Sequence, residues 1–151
     1  MLANPKTEIR PLKQADMETV VELLQSNSTY RPNFEDFDII WQKFSQQQNL
    51  HAFVVTKNDI VVGYGCLFVE VKIRGGCVGH IEDIVTDQNY RRIGIGKRLV
   101  THLLQIANEF NCYKAVLQCE ENNIPFYEKC GFRQSEFGMS LLTGSLSRRD
   151  Q

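Results

Sequence analysis

The apolar positions of this chain follow two rhythms, and their order along the sequence outlines a fold. Met17, Val20, Val21, Leu23 and Leu24 recur at helical spacing within 16–25, and Phe37, Ile40, Trp41 and Phe44 form a second stripe within 34–47. The polar, proline-broken stretch 26–32 between them is either a connector or a loop at the mouth of a site. A short edge strand opens at Ile9 and stops at Pro11. Residues 51–56 and 60–71 are β-rich on either side of Lys57-Asn58-Asp59, and Arg74-Gly75-Gly76 turns the chain into a third strand, 77–86. Further on, Leu99, Val100, Leu103, Leu104, Ile106 and Ala107 mark the buried side of a long helix, and 113–119 reads as another strand. Asn123-Ile124-Pro125 opens a short helix, with Gly131 where a left-handed C-terminal cap belongs. A last hairpin is expected around Gly138, from 132–137 and 139–142, followed by a flexible polar tail over 143–151. The order predicts the α+β class: one domain over 1–151 with a mixed, mostly antiparallel central sheet flanked by helices.

One strand breaks the pattern. Glu82 and Asp83 are adjacent in the middle of 77–86, so strict alternation would send one carboxylate to each face. Either one face opens into a polar cleft, or the strand bulges and splays there.

The chain has 151 residues, enough for one domain to bury a core without staples. Seventeen basic and eighteen acidic residues give a net charge of −1, so no global field recruits nucleic acid or an anionic membrane. Any anion must be held by a local device. No signal-like apolar core and no stretch of ~20 apolar residues is present, which predicts a cytoplasmic protein without a membrane partner. Five cysteines, an odd number without a CxxC pair, argue against a disulfide framework and a zinc site; no metal is expected. Most read as small buried hydrophobes, with Cys119 and Cys130 near the motifs below.

The local device is Arg91-Arg92-Ile93-Gly94-Ile95-Gly96-Lys97, between a strand and the long helix. Glycines there let successive N–H groups converge, the helix N-terminus adds partial positive charge, and the basic side chains reinforce it. Such a loop suits a pyrophosphate. It has neither the Walker spacing nor the first glycine of a dinucleotide fingerprint.

This loop resembles the pyrophosphate pattern [RQ]-x-x-G-x-[GA] of the GNAT acetyltransferase superfamily, and 123–132 (NIPFYEKCGF) resembles that superfamily's downstream region. Three blocks, 79–84 (GHIEDI), 111–114 (NCYK) and 126–132 (FYEKCGF), are similar to the eukaryotic glucosamine-6-phosphate N-acetyltransferase family. The resemblance implies a GNAT fold with splayed central strands and acetyl-CoA as co-substrate. It also implies a sugar-phosphate acceptor on the way to UDP-N-acetylglucosamine, and a homodimer exchanging C-terminal strands. It places the pantetheine arm against the backbone of Ile84, Val85 and Thr86, with the Ile84 N–H facing the thioester oxygen. Arg91, Arg92, Ile93, Gly94, Ile95, Gly96, Lys97 and Asn123 would hold the rest of the cofactor, although Asn123 could equally be a helix N-cap. Tyr127 would protonate the departing thiolate, and Glu82 would take the amine proton, directly or through water. Glu82, Asp83, Tyr113, Lys114 and Thr29 would face the sugar phosphate.

Two positions depart from that family. Leucine stands in Met139-Ser140-Leu141-Leu142 where the family ends its last strand with a phosphate-binding arginine, and Gln118 replaces a frequent carboxylate. Lys72, Arg74, Lys114, Arg148 or Arg149 could compensate for the arginine. The departures keep open an acetyltransferase for another amine, such as a protein N-terminus, a polyamine or an unphosphorylated amino sugar. A non-catalytic acyl-CoA-binding module is opposed by Tyr127 and Glu82.

Overall fold

The structure is a computed structural model and describes residues 6–143. The tail expected over 143–151, with Arg148 and Arg149, lies outside the described residues apart from Thr143. Strands β1 (Thr7–Pro11), β2 (Leu50–Lys57), β3 (Ile60–Val71) and β4 (Cys77–Thr86) pair antiparallel in succession, and β5 (Cys112–Val116) joins β4 in parallel. Asn58 and Asp59, at φ 49° and 66°, give the β2–β3 hairpin the twist-matched turn that the sequence signalled. Helices are α1 (Met17–Leu24), α2 (Phe37–Ser45), α3 (Ile95–Glu109) and α4 (Ile124–Lys129). Among the described residues, no helix is long and apolar enough to cross a membrane.

The sheet has a helix on each face. On one, Leu99, Val100, Leu103 and Ala107 of α3 pack against Val55, Val62, Leu67 and Ile81. On the other, Val20 of α1 packs with Val54, Val61, Tyr64 and Val85. Leu67, Leu99 and Leu103 are fully buried, and each contributes roughly 1.5–3 kcal/mol by leaving water. As the link between two parallel strands, α3 is also the crossover that this pairing requires. The α2 stripe forms as its periodicity predicts, yet Phe37, Ile40, Trp41 and Phe44 are only half-buried and α2 has no buried residue. Helical spacing establishes a face; it does not establish what covers it.

Two expectations are corrected. The strand expected over 113–119 stops at Val116, because β4 turns away from it. The hairpin expected around Gly138 is absent: 133–143 contains no strand, and Phe137, Met139 and Leu141 are almost wholly exposed. Alternating apolar residues create strand propensity, but a strand needs an edge to satisfy its N–H and C=O groups, and this segment pairs with none among the described residues.

The unusual carboxylate pair sits on a β-bulge. Tyr64 pairs with Val85 and Cys66 with Glu82, so two residues, Asp83 and Ile84, oppose the single Gly65. Asp83 takes φ 56°, a left-handed conformation that aspartate tolerates better than most residues. The extra residue reverses the alternation. Val78, His80 and Glu82 share one face, and beyond the bulge Val85, not Ile84, continues on the α1 side. Ile84 turns towards α3 instead, and only a glycine fits opposite it: a Cβ on Gly65 would lie 2.4 Å from Ile84 Cδ1. The bulge therefore leaves Glu82 exposed and Asp83 open to solvent on part of its surface, so neither carboxylate is sealed into the core.

Candidate active site

Pairing between β4 and β5 ends at His80 with Val116, so among the described residues Ile81–Thr86 has no paired strand on that side. The two parallel strands part and leave a gap. Asp87 N–H bonds the Val62 carbonyl on β3, so by alternation Val85 also addresses β3 while Ile84 and Thr86 present their peptide groups to the gap. Val85 is thereby turned away from it, its peptide towards β3 and its side chain into the α1 core. Of the three β4 positions expected to touch a cofactor, the gap receives the backbone of two.

Helix α3 begins beside this strand. Gly94 is its N-cap at φ 84°, and the first intrahelical bond runs from Arg98 N–H to the Gly94 carbonyl. The N–H groups of Ile95, Gly96 and Lys97 precede that bond and have no intrahelical acceptor, the donor array that an anion fills. Arg91, Arg92, Ile93 and Lys97 are exposed around it, whereas the Ile95 side chain is buried in the core and contributes only backbone. Gly96 keeps α3 close to its neighbours, because a Cβ there would meet Phe126 at 3.2 Å and Thr86 Oγ1 at 3.5 Å.

Helix α4 brings Tyr127 to the same end. The helix closes as the sequence predicts, with Phe132 N–H on the Tyr127 carbonyl and Gly131 N–H on the Glu128 carbonyl, the Schellman pattern. Tyr127 packs edge-on against Phe126 and Phe132, with ring centroids 4.9 and 6.1 Å away. It is half-buried, and burial pushes its phenol above the usual range, so it remains a proton donor at neutral pH. Asn123 is the α4 N-cap, but its side chain makes no capping bond.

On the face opposite α3 lies a cavity of about 450 Å³. Its walls include Glu82 and His80 from β4, Tyr113 and Lys114 from β5, Lys72 and Arg74 from the β3–β4 hairpin, and Gln118. The side chains are held. Arg74 donates to the Tyr113 hydroxyl at 2.8 Å, and Glu70 Oε2 takes both Lys72 Nζ and His80 Nε2 at 2.8 Å. Lys72, then His80, holds the Glu70 carboxyl below its ordinary range. Desolvation raises the carboxyl pKa of Asp83. Beneath the bulge, burial pushes the Cys66 thiol up to about 12, which leaves it neutral and a poor nucleophile. Thr29 is exposed in the loop after α1, and in that loop Asn27 Nδ2 reaches β4 to donate to the Ile84 carbonyl at 3.1 Å. The stretch 26–32 is therefore more than a connector.

Four contributors, Lys72, Arg74, His80 and Gln118, were absent from the expected site set or only candidates for it. His80 was legible, because it lies two residues from Glu82 on a regular stretch of strand. Lys72 and Arg74 were candidates to replace the family's arginine and Gln118 a noted departure, but no local spacing sets their approach to that wall.

A strand parted from its parallel neighbour beside a glycine-rich helix N-terminus defines an acyl-transfer architecture, and the comparisons agree. Residues 17–132 match the Acetyltransferase (GNAT) family, and the chain belongs to that family. It is 37% identical over 142 residues to glucosamine 6-phosphate N-acetyltransferase of Trypanosoma brucei brucei, covering 89% of this chain and 94% of the relative. Against the enzyme of the same name from Candida albicans it is 42% identical over 103 residues, 66% of this chain and 69% of the relative. The crystal structure of glucosamine-6-phosphate N-acetyltransferase from Arabidopsis thaliana superposes with a TM-score of 0.83 at 29% identity, covering 92% of this chain and 99% of that one.

Proposed function

We propose that this protein transfers the acetyl group of acetyl-CoA to the amine of glucosamine 6-phosphate, giving N-acetylglucosamine 6-phosphate and CoA. The observation that carries the reading is the parting of β4 from β5 after His80, which sets unpaired strand backbone, the α3 donor array and a carboxylate-bearing cavity side by side. Relatives named for this activity in several eukaryotes support the substrate.

Acetyl-CoA supplies the activated acyl group. Ile84 and Thr86 bind the pantetheine arm through peptide groups facing the gap, with the Ile84 N–H directed at the thioester oxygen, where negative charge develops. The N–H groups at the start of α3, with Arg91, Arg92 and Lys97, hold the diphosphate, and Asn123 contacts the cofactor from α4. The amine nitrogen bonds to the acyl carbon as the carbon–sulfur bond breaks. The Tyr127 hydroxyl gives its proton to the departing sulfur, and Glu82 accepts the amine proton, directly or through water. Glu82 and Asp83 orient the sugar hydroxyls, while Tyr113, Lys114 and Thr29, supplemented by Lys72 and Arg74, recognise the phosphate. Lys114 stands at the Val78–Lys114 row of the sheet, about 13 Å of strand from Glu82, and Lys72 and Arg74 follow in the hairpin beyond that row.

Thiol release from acetyl-CoA, measured with glucosamine 6-phosphate, glucosamine and a panel of small amines, tests the assignment. The phosphorylated sugar is expected to give the highest kcat/KM; equal rates on plain glucosamine overturn it, and a preferred non-sugar amine favours the alternative acceptor. The protein works as a homodimer in the cytoplasm, towards UDP-N-acetylglucosamine. The apolar segment carrying Phe137, Met139 and Leu141 and the terminal strand β5 support the pairing. Sedimentation as a monomer at micromolar concentration would count against it, and cell fractionation checks the compartment.

A further inference from the structure

The loop after α1 makes one contact that the chemistry above does not use. Asn27 Nδ2 donates at 3.1 Å to the carbonyl of Ile84, 57 residues away. That carbonyl lies immediately after the bulge, on the residue whose peptide groups face the gap. We infer that Asn27 is a positioning residue for acetyl transfer: its amide fixes the Ile84 peptide plane in the orientation that receives the acyl-CoA arm. The inference rests on the acetyl-CoA reading of the gap.

Two further observations support it. The loop is stiff enough to act as a clamp. Asn27 and Ser28 N–H groups both bond the Leu24 carbonyl at 2.9 and 3.0 Å, Gln25 Nε2 bridges the Val21 and Tyr30 carbonyls, and Ser28 Oγ accepts from Tyr30 N–H at 3.1 Å. The strand, in contrast, needs a clamp. Beyond His80 it has no β5 neighbour, and Asp83 at φ 56° interrupts the regular strand conformation just before Ile84. A carbonyl has two lone pairs, so the Asn27 bond leaves one for a ligand amide. Because Thr29 lies two residues further along the same loop, the clamp also ties the acceptor side of the site to the strand that holds the donor.

Asn27→Ala and Asn27→Asp test this, the second keeping size while replacing the donor with an acceptor that opposes the carbonyl. The readouts are acetyl-CoA affinity by calorimetry, KM and kcat for each substrate, and amide hydrogen exchange across 83–86. Asn27→Ala is expected to weaken acetyl-CoA binding about threefold to tenfold, as the loss of one neutral hydrogen bond does. Asn27→Asp should weaken it further, and both should speed exchange at 83–86 while Tm stays unchanged. Unaltered acetyl-CoA affinity, or faster exchange spread over the whole sheet with a lowered Tm, overturns the inference. Wild-type protein that binds no acetyl-CoA overturns the reading beneath it instead, so the two failures are told apart.

Discussion

The proposed function calls on two places for an anion, and they are built from different materials. At the start of α3 the donors are backbone N–H groups, fixed by the helix and spaced by Gly94 and Gly96. In the cavity beside Glu82 they are the side chains of Lys72 and Arg74 from the β3–β4 hairpin, braced by Glu70 and Tyr113, and of Lys114 from β5. A backbone site forms as the helix forms and loses no further side-chain freedom when a ligand arrives. A side-chain site must order long, rotamer-rich cations, and exposed charges are screened by salt within about 8–10 Å. The first kind is rigid and unforgiving of added atoms; the second adapts.

Tyr127 packs on Phe126, the ring that faces Gly96 of the backbone site, and because it is the proposed proton donor its loss should cost most. Tyr127→Phe keeps the ring packing on Phe126 and Phe132 but removes the proton donor, so kcat is expected to fall about a hundredfold or more while KM for either substrate changes little. Presteady-state measurement of thiol release reads the chemical step directly. Unchanged turnover would return Tyr127 to a packing role.

The next largest effect belongs to the backbone site. In Gly96→Val the new Cβ meets Phe126 at 3.2 Å and Thr86 Oγ1 at 3.5 Å, with two γ-carbons still to be placed. Phe126 is itself wedged against Tyr127. Overpacking of about 1–3 kcal/mol should therefore separate α3 from its neighbours and weaken acetyl-CoA binding by about tenfold to a hundredfold. Calorimetric titration well below the variant's Tm distinguishes this from unfolding. Wild-type affinity would mean that close approach at Gly96 is not what shapes the donor array.

The same contrast explains what could be read from the sequence. The backbone site is a contiguous motif, 91–97, whose residue types state their own geometry: two glycines, flanking cations and an amphipathic helix behind. The bulge was legible as one of two alternatives, since Glu82 next to Asp83 excludes a strand buried on both faces but is met equally by a polar cleft or by a bulge. The cavity draws on 72–74, 78–82, 113–118 and 135–138, which only the fold brings together, and no spacing rule links Arg74 to Tyr113. Misplaced expectations share a cause. Residues 139–142 have strand composition and α2 has a clean apolar stripe, but composition and periodicity describe what a segment could pair with, not whether a partner is present. Val85, which the resemblance sets against the cofactor, has its peptide directed to β3 by the register that the Val62–Asp87 bond fixes, a fact of pairing that no residue type in 84–86 states.

A second glycine gives the comparison its finest test. A Cβ on Gly138, in the cavity wall, would lie 2.6 Å from Gln118 Nε2, a shorter contact than any at Gly96. By distance alone Gly138→Ala should be the more damaging substitution. The neighbours differ in kind, however: Gln118 presents the far end of a flexible side chain that can rotate into the cavity, whereas Phe126 is a rigid ring packed edge-on against Tyr127. Gly138→Ala should therefore stay within about 0.5 kcal/mol of wild type in stability and alter KM for the phosphorylated sugar by about twofold or less. Thermal unfolding and steady-state kinetics check both numbers. A loss as large as that of Gly96→Val would show that the cavity wall is as rigid as the helix end, and that the distinction between the two sites does not hold.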